Sequence, residues 1–291
     1  MIKKSKSYRL FQSFNILFML LVIAVTLYPF IYVVAQSFSS EHYINAGKVF
    51  FLPKGLNIDT YKEVMKQQDF WINYKNTVIY TVVATAISMF MTTIFAYALS
   101  KKRLKARGFF LAIVVFTMFF NGGLIPNYLL VKYLGMRNTI WSVVIPGAIS
   151  TWNLLIMKSF FESMPNELEE AASVDGLNTY GILIRIILPL SLPILTTITL
   201  FYAVGNWNSW FGAFLYMDKK DMFPVQLYLR NIIAGASATS VNQGTDTDAQ
   251  QQVAANIKSV SIVLTVLPII CIYPFIQKYF VTGVMIGSVK G

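Results

Sequence analysis

Charge is kept out of six long stretches of this chain. Residues 10–40, 76–100, 108–131, 138–157, 186–217 and 259–277 contain no Asp, Glu, Lys or Arg. A helix needs about 20 apolar residues to cross the hydrocarbon core of a bilayer, and each run reaches or nearly reaches that length. In lipid the backbone must satisfy its own hydrogen bonds, which makes helix the natural form for such runs. The pattern predicts an all-α integral membrane protein with six transmembrane helices. Only 13% of the residues are charged, against about 25% in an ordinary soluble domain, and no stretch reads as a second, soluble domain.

The basic residues set the expected orientation. Lys3, Lys4, Lys6 and Arg9 precede the first run, and "KKRLKAR" (101–107) carries five bases and no acid. Short loops rich in Lys and Arg stay cytoplasmic, so both termini are expected inside. The net charge of +11 is then a matter of membrane orientation; membrane lipid is the expected surround and no nucleic-acid partner is implied. The first run is far longer than the apolar core of a signal peptide, about 7–15 residues, and reads as an uncleaved span.

Glycine and proline punctuate the spans. Pro29 lies in the first. "FLPKGLNIDTYKEV" reads as a turn and a short interfacial helix, and Ala84, Ala86, Ser88, Ala96 and Ala98 suit close packing of the second span. Gly122, Gly123 and Pro126 should break the third near its outer end. The fourth, about 139–157, holds Pro146–Gly147 at mid-membrane. The fifth is expected from Ile186, with Pro189 and Pro193 in its first turns. Residues 218–256 read as a flexible polar loop, and the sixth span covers about 257–280. Cys271 reads as a small core residue and His42 as a solvated loop residue.

Familiar catalytic signatures are missing. There is no GxxxxGK[ST], HExxH, GxSxG or CxxC pattern, so no catalytic residue, metal ligand or bound cofactor is expected on this chain. Span interiors lack the ionisable residues of proton- or ion-coupled carriers. A membrane enzyme is the weakest reading. What remains is a channel-like or permease subunit powered by something else; a stand-alone secondary carrier or channel for a small polar solute is the alternative.

One insert breaks the basic pattern. "NELEEAASVDGLNTYG" (166–181) holds Glu167, Glu169, Glu170 and Asp175 between two apolar runs. Pro165 suits a helix start, the acids favour the positive end of the helix dipole, Ala171 and Ala172 favour helix, and Gly176 suits its end. The segment 165–175 is therefore expected as a short helix, too charged for lipid. Its residues alone leave a solvated connector and a docking element both open.

The longer pattern is more specific. "EEAASVDGLNTYGILIRIILPLSLP" resembles the EAA motif of ABC importer permeases, with Glu170, Ala171, Ala172, Asp175, Gly176, Ile186, Leu188, Pro189 and Pro193 at the motif's spacing. Leu177 departs from the Ala usual there. "NTVIYTVVATAISMFMTTIFAYALSKKR", "YLLVKYLGMRNTIWSVVIP" and "FFESMPNELEEAA" are similar to MalG-type permeases of carbohydrate importers, as is the ending "QKYFVTGVMIGSVKG"; "FNGGLIPNYLL" and "VMIGSVKG" resemble the LplC/YtcP branch. The resemblance implies a MetI-like type I importer fold in a bacterial cell membrane. Residues 1–70 would hold the N-terminal segment, first span and external loop. Residues 71–291 would form the core permease domain, with a coupling helix at about 165–176.

The resemblance also implies partners: a second homologous permease forming a heterodimer, two cytoplasmic ATPase subunits using ATP and Mg, and an extracellular solute-binding protein or lipoprotein. Glu167, Glu169, Glu170, Ala171, Ala172, Asp175 and Gly176 would form the ATPase-coupling set, and the tail from Gly283 to Gly291 would reach the same interface. The solute would be an oligosaccharide, of complex or uronide-containing type on the branch likeness. Sugars favour aromatic stacking and planar hydrogen-bonding groups, which makes Asn121, Asn206, Trp207, Asn208 and Trp210 the candidates for the solute pathway.

Overall fold

The computed structural model describes residues 6–242, 256–272 and 274. Their regular structure is helical, apart from an isolated bridge between Ser39 and Leu56. Two compact units emerge: the described residues of 1–68 with 229–267, and those of 69–228 with 268–291. The tail from Gly283 lies outside the described residues.

In the first unit the apolar run forms one helix, α1 (Lys6–Ser37), long enough to cross a bilayer. Its end is tied down by hydroxyls. Ser39 Oγ donates to Ala35 O at 2.6 Å and accepts from Lys54 N at 3.0 Å, and Tyr61 donates to Ser37 Oγ at 2.8 Å. Two short helices follow, α2 (Glu41–Asn45), which holds the exposed His42, and the expected α3 (Asp59–Lys66). Gly55 between them has φ +62, and a Cβ there would lie 2.6 Å from Ser40 Oγ. Residues 256–267 of the helix Asn256–Ile272 also belong here and join the end of α1 through Asn256 Nδ2 to Ser39 O (3.4 Å) and Ser259 Oγ to Gln36 Oε1 (3.1 Å). Cys271 on this helix is exposed, not a core residue. Its neighbours Leu267, Ile270 and Ile272 are exposed too, so this stretch turns apolar groups outward, as a lipid-facing helix does.

The second unit is organised by α4 (Gln68–Ser100), the other unbroken helix long enough to span. Small residues fall every fourth position on its buried face: Ala84, Ser88, Thr92 and Ala96. Neighbouring helices can then approach closely.

The later runs are broken where the backbone lacks donors or needs unusual dihedrals. In the third, α5 (Arg107–Phe119) and α6 (Leu124–Tyr133) meet at 113°. Gly123 takes φ +92 there, open mainly to glycine. The fourth run is not one helix: α7 (Trp141–Val144) stops before Pro146–Gly147, and α8 (Thr151–Glu162) restarts behind Ser150, whose side chain caps Asn153 N. The fifth is also split. An arm, Thr179–Leu190, turns by 84° into the helix Leu192–Trp207. Pro189 and Pro193 withhold two N–H groups around the buried Ser191, so the run expected as one helix from Ile186 is bent there.

Residues 218–256 are not a plain loop. A helix runs from Val225 to Asn242, because Val225, Leu227 and Leu229 bury fully or nearly so, an apolar signal masked by the polar composition that follows; 243–255 lie outside the described residues.

A large apolar core in this unit is drawn from the second half of α4, α8, the arm and Leu192–Trp207. Tyr202 sits inside it. Its hydroxyl lies 2.7 Å from Thr92 Oγ1 and accepts from Ser150 N at 2.9 Å, joining three elements at one oxygen. Removing it leaves the Ser150 N–H without a partner, a loss of about 1–2 kcal/mol. Tyr202→Phe should lower the thermal unfolding midpoint of the detergent-purified protein by about 2–8 °C. An unchanged midpoint would show that the three-way contact carries no stability.

Candidate functional site

The acidic insert forms the expected short helix, α9 (Asn166–Val174). Glu167 and Glu169 stand in its first turn, where carboxylates meet unpaired N–H groups and the positive dipole end. Pro165 precedes the first helical residue. At the other end Leu177 N bonds to Ala172 O (3.0 Å) and Gly176 N to Ser173 O (3.1 Å), with Gly176 at φ +83. This is the glycine-terminated Schellman pattern, usually joined by an apolar contact from the residue after the glycine. Leu177 supplies it by packing against the core, which accounts for a large side chain where the related motif has Ala.

Space around Gly176 is open: beyond its chain neighbours, nothing lies within 4 Å of where a Cβ would stand. Gly176→Ala therefore costs only the left-handed backbone, about 1–2 kcal/mol. The melting midpoint of the purified protein should fall by a few degrees, and by less for Gly176→Asn. Equal midpoints for all three would show that the turn does not need φ > 0.

The structure divides the candidate coupling residues between two faces. Glu167, Glu170, Ala171, Asp175 and Gly176 are exposed. Val174 beside them is 88% exposed and Tyr180 on the arm 76%. Ala172 and Glu169 point the other way: Ala172 is buried in the core, and Glu169 pairs with Lys101 at the end of α4, both side chains largely covered. The expected ATPase-facing set of seven thus includes two residues used within the chain.

The same end carries a second charge cluster. Glu162 accepts from Arg107, and from Lys158 Nζ at 2.7 Å. Arg107 Nε also donates to Leu99 O at 2.7 Å, closing the last turn of α4. An open cleft of about 750 Å³ runs beside these pairs, lined by Lys101, Lys102 and Arg103 on one side and Glu169 and Glu170 on the other.

At the other end of α4, about 20 residues and so roughly 30 Å away, the polar contacts concern residues 216–225. Tyr80 donates to Met222 O (2.8 Å), Asn76 Nδ2 to Asp221 O (2.6 Å), and Val225 N to Thr77 Oγ1 (2.7 Å). Arg137 grips both oxygens of Asp218 at 3.0 and 2.9 Å, and Asn138 Nδ2 donates to the same carboxylate at 2.9 Å. The Asn138 hydrogen bond, with the Arg137 charge beside it, holds the Asp218 carboxyl below its usual range. No sequence motif singles out Arg137 and Asp218, although each stands at the boundary of a charge-free run.

The pathway candidates have different surroundings among the described residues. Asn206 Nδ2 donates to Thr85 Oγ1 at 3.2 Å, beside a cleft of about 20 Å³, room for one water. Trp207 is buried, edge-on to Tyr74 at 5.7 Å. Asn208 is exposed and bonds back to Val204 O, and Trp210 packs against the cluster of Ala213, Met217 and Leu227. Asn121 is exposed at the α5–α6 bend, where its Oδ1 accepts from Gly123 N (3.0 Å) and Asn127 Nδ2 (3.2 Å). Asn121 and Trp207 therefore have structural tasks, whatever else they do.

Residues 106–286 match the family described as binding-protein-dependent transport system inner membrane component. The chain is 42% identical to Protein LplC of Bacillus subtilis (strain 168), covering 99% of this chain and 97% of that one. It is 38% identical to the polygalacturonan/rhamnogalacturonan transport system permease protein YtcP of the same organism, covering 97% and 99%. Its structure is similar to a chain from the crystal structure of a bacterial ABC transporter involved in the import of the acidic polysaccharide alginate. The TM-score is 0.85 and the identity 33%, over 96% of this chain and all of that one.

Proposed function

The chain belongs to the binding-protein-dependent transport system inner membrane components, and from that membership we propose which parts receive work and what is carried. It is the permease subunit of an ABC sugar importer, a membrane protein and not itself an enzyme. In our reading it pairs with a second, homologous permease, and two cytoplasmic ATPase subunits using ATP and Mg drive the pair. An extracellular binding protein delivers the solute, and the transporter works by alternating access, one rigid body moving against another.

The observation that carries this reading is the two-faced α9. One face is fixed in the core through Ala172 and to α4 through Glu169. The other presents Glu167, Glu170, Ala171 and Val174 to solvent. Exposed apolar groups among acids on a firmly mounted helix suit a partner with a basic-rimmed cleft. Within that surface Glu170 is the charge contact and the small Ala171 lets the partner come close.

The solute we propose is an oligosaccharide, acidic or uronide-containing. The names of YtcP and of the alginate importer support that class. A cleft of about 20 Å³ at Asn206 is far too small for a sugar ring, which supports a site completed by the sister permease or opened by its motion.

Two measurements test the reading. In the assembled complex with its binding protein, Glu170→Lys should cut ATP hydrolysis stimulated by oligogalacturonate at least about tenfold, since breaking a buried charge contact costs about 2–5 kcal/mol. Assembly should persist. Unchanged stimulation would remove the docking role, and stimulation by neutral oligosaccharides alone would remove the acidic class. Orientation is read by labelling: with Cys271 replaced by Ser, a cysteine at Lys105 should react only from the cytoplasm and one at Lys219 only from outside. The opposite labelling would overturn the inside placement of 101–107.

A further inference from the structure

We propose that Lys101 and Glu169 are positioning residues that fasten α9 to the inner end of α4, so that the two move as one body during transport. The proposal rests on the docking reading of α9 above and adds how a pull on that helix reaches the membrane.

Along the chain, α9 is joined to the spans only by the short link 163–165 and by the arm that begins at Thr179. Neither leads to α4, which lies some seventy residues earlier in sequence. The Lys101–Glu169 pair makes that connection directly. Its surroundings favour a firm contact. The two side chains are only 17% and 16% exposed, and Lys101 Nζ lies 4.3 Å from the centre of the Tyr97 ring, one turn back on α4. Tyr97 packs edge-on against Phe161 of α8 at 6.1 Å, and Ala172, one turn beyond Glu169, is buried in the same core as Tyr97, Leu99 and Phe161. An ion pair screened from water is weakened little by salt, and losing one partner leaves the other charge covered and unpaired. The Glu162 cluster ties α8 to α5 and α4 at the same end. Two bases of 101–107, a loop that sets orientation, thus also hold the neighbouring helices.

The test is a charge swap in the complete importer, assembled with its ATPase, sister permease and binding protein, with oligogalacturonate as the probe. Lys101→Glu and Glu169→Lys should each lower the ratio of stimulated to basal ATP hydrolysis about tenfold or more. The double swap should restore it to within about threefold, since a reversed pair is still a pair. If the single reversals fail to assemble, the neutral pair Lys101→Met with Glu169→Gln serves: the complex should form, hydrolyse ATP at its basal rate and lose stimulation. Full stimulation in either single reversal or in the neutral pair would overturn the proposal, as would a double swap that assembles but stays uncoupled. Glu170→Lys separates the two claims. If it uncouples while the swap does not rescue, the fastening fails and docking stands. If it has no effect, docking fails, and the fastening as a coupling element falls with it.

Discussion

Charge is kept out of six long stretches of this chain, and the structure depends on what happens to charge at their ends. A base at a span end is first a topological instruction. It is also able to make a strong directional contact between helices whose flanks offer mainly dispersion and a few neutral hydrogen bonds. Lys101 and Arg107 make such contacts, and Lys101 makes its own where both side chains are largely covered. Arg137 reaches both oxygens of Asp218 from the single nitrogen Nη2, and the Asp218 side chain is 62% exposed, so water screens the pair. Breaking a covered pair costs about 3–5 kcal/mol. The end carrying 101–107 is therefore the stiffer one by electrostatics, and it is the end that presents α9.

Much of this was legible in the residues. Charge-free length locates the unbroken helices α1 and α4, and α9 appears nearly residue for residue, because its signals are local: acids at a dipole end, alanines in the middle, a left-handed glycine at the close. The breaks are harder. Gly122–Gly123 announces the bend after α5. Yet Pro146–Gly147 reads as an irregularity within one span when it divides two helices, and Pro189 with Pro193 reads as a first turn when it is a hinge. A proline states that a hydrogen bond is missing; it does not say whether the helix tolerates the gap or turns. Packing decides that, here through a fully buried Ser191 between the two prolines.

The candidate site was legible as a segment and not as a surface. Sequence likeness treats Glu167, Glu169 and Glu170 as equivalent acids of one motif. The helical period separates them: Glu169 and Ala172, three apart, share the inward face, whereas Glu167, Glu170, Ala171 and Val174 share the outward one. Nothing in the insert says which face is which, because that depends on Lys101 and on a core formed with α4 and α8. The pathway candidates scatter for a related reason. Asn and Trp attract attention as sugar ligands, but Asn121 stabilises a bend and Trp207 fills space against Tyr74. Polar and aromatic residues near a membrane face have ordinary work to do.

The division of labour in α9 bears on how force could cross the unit. A helix docked on a partner and loosely linked to its own chain would follow the partner without moving the spans. Fastened to α4, it hands displacement to an unbroken 33-residue helix, whose opposite end holds residues 221–225 through Asn76, Thr77 and Tyr80. The broken elements differ in kind. The bends after Phe119 and at Ser191 interrupt the two runs on either side of α8 and α9, whereas α4 is unbroken. Rigid transmission along α4 and compliance at the glycine and proline breaks are complementary demands of alternating access.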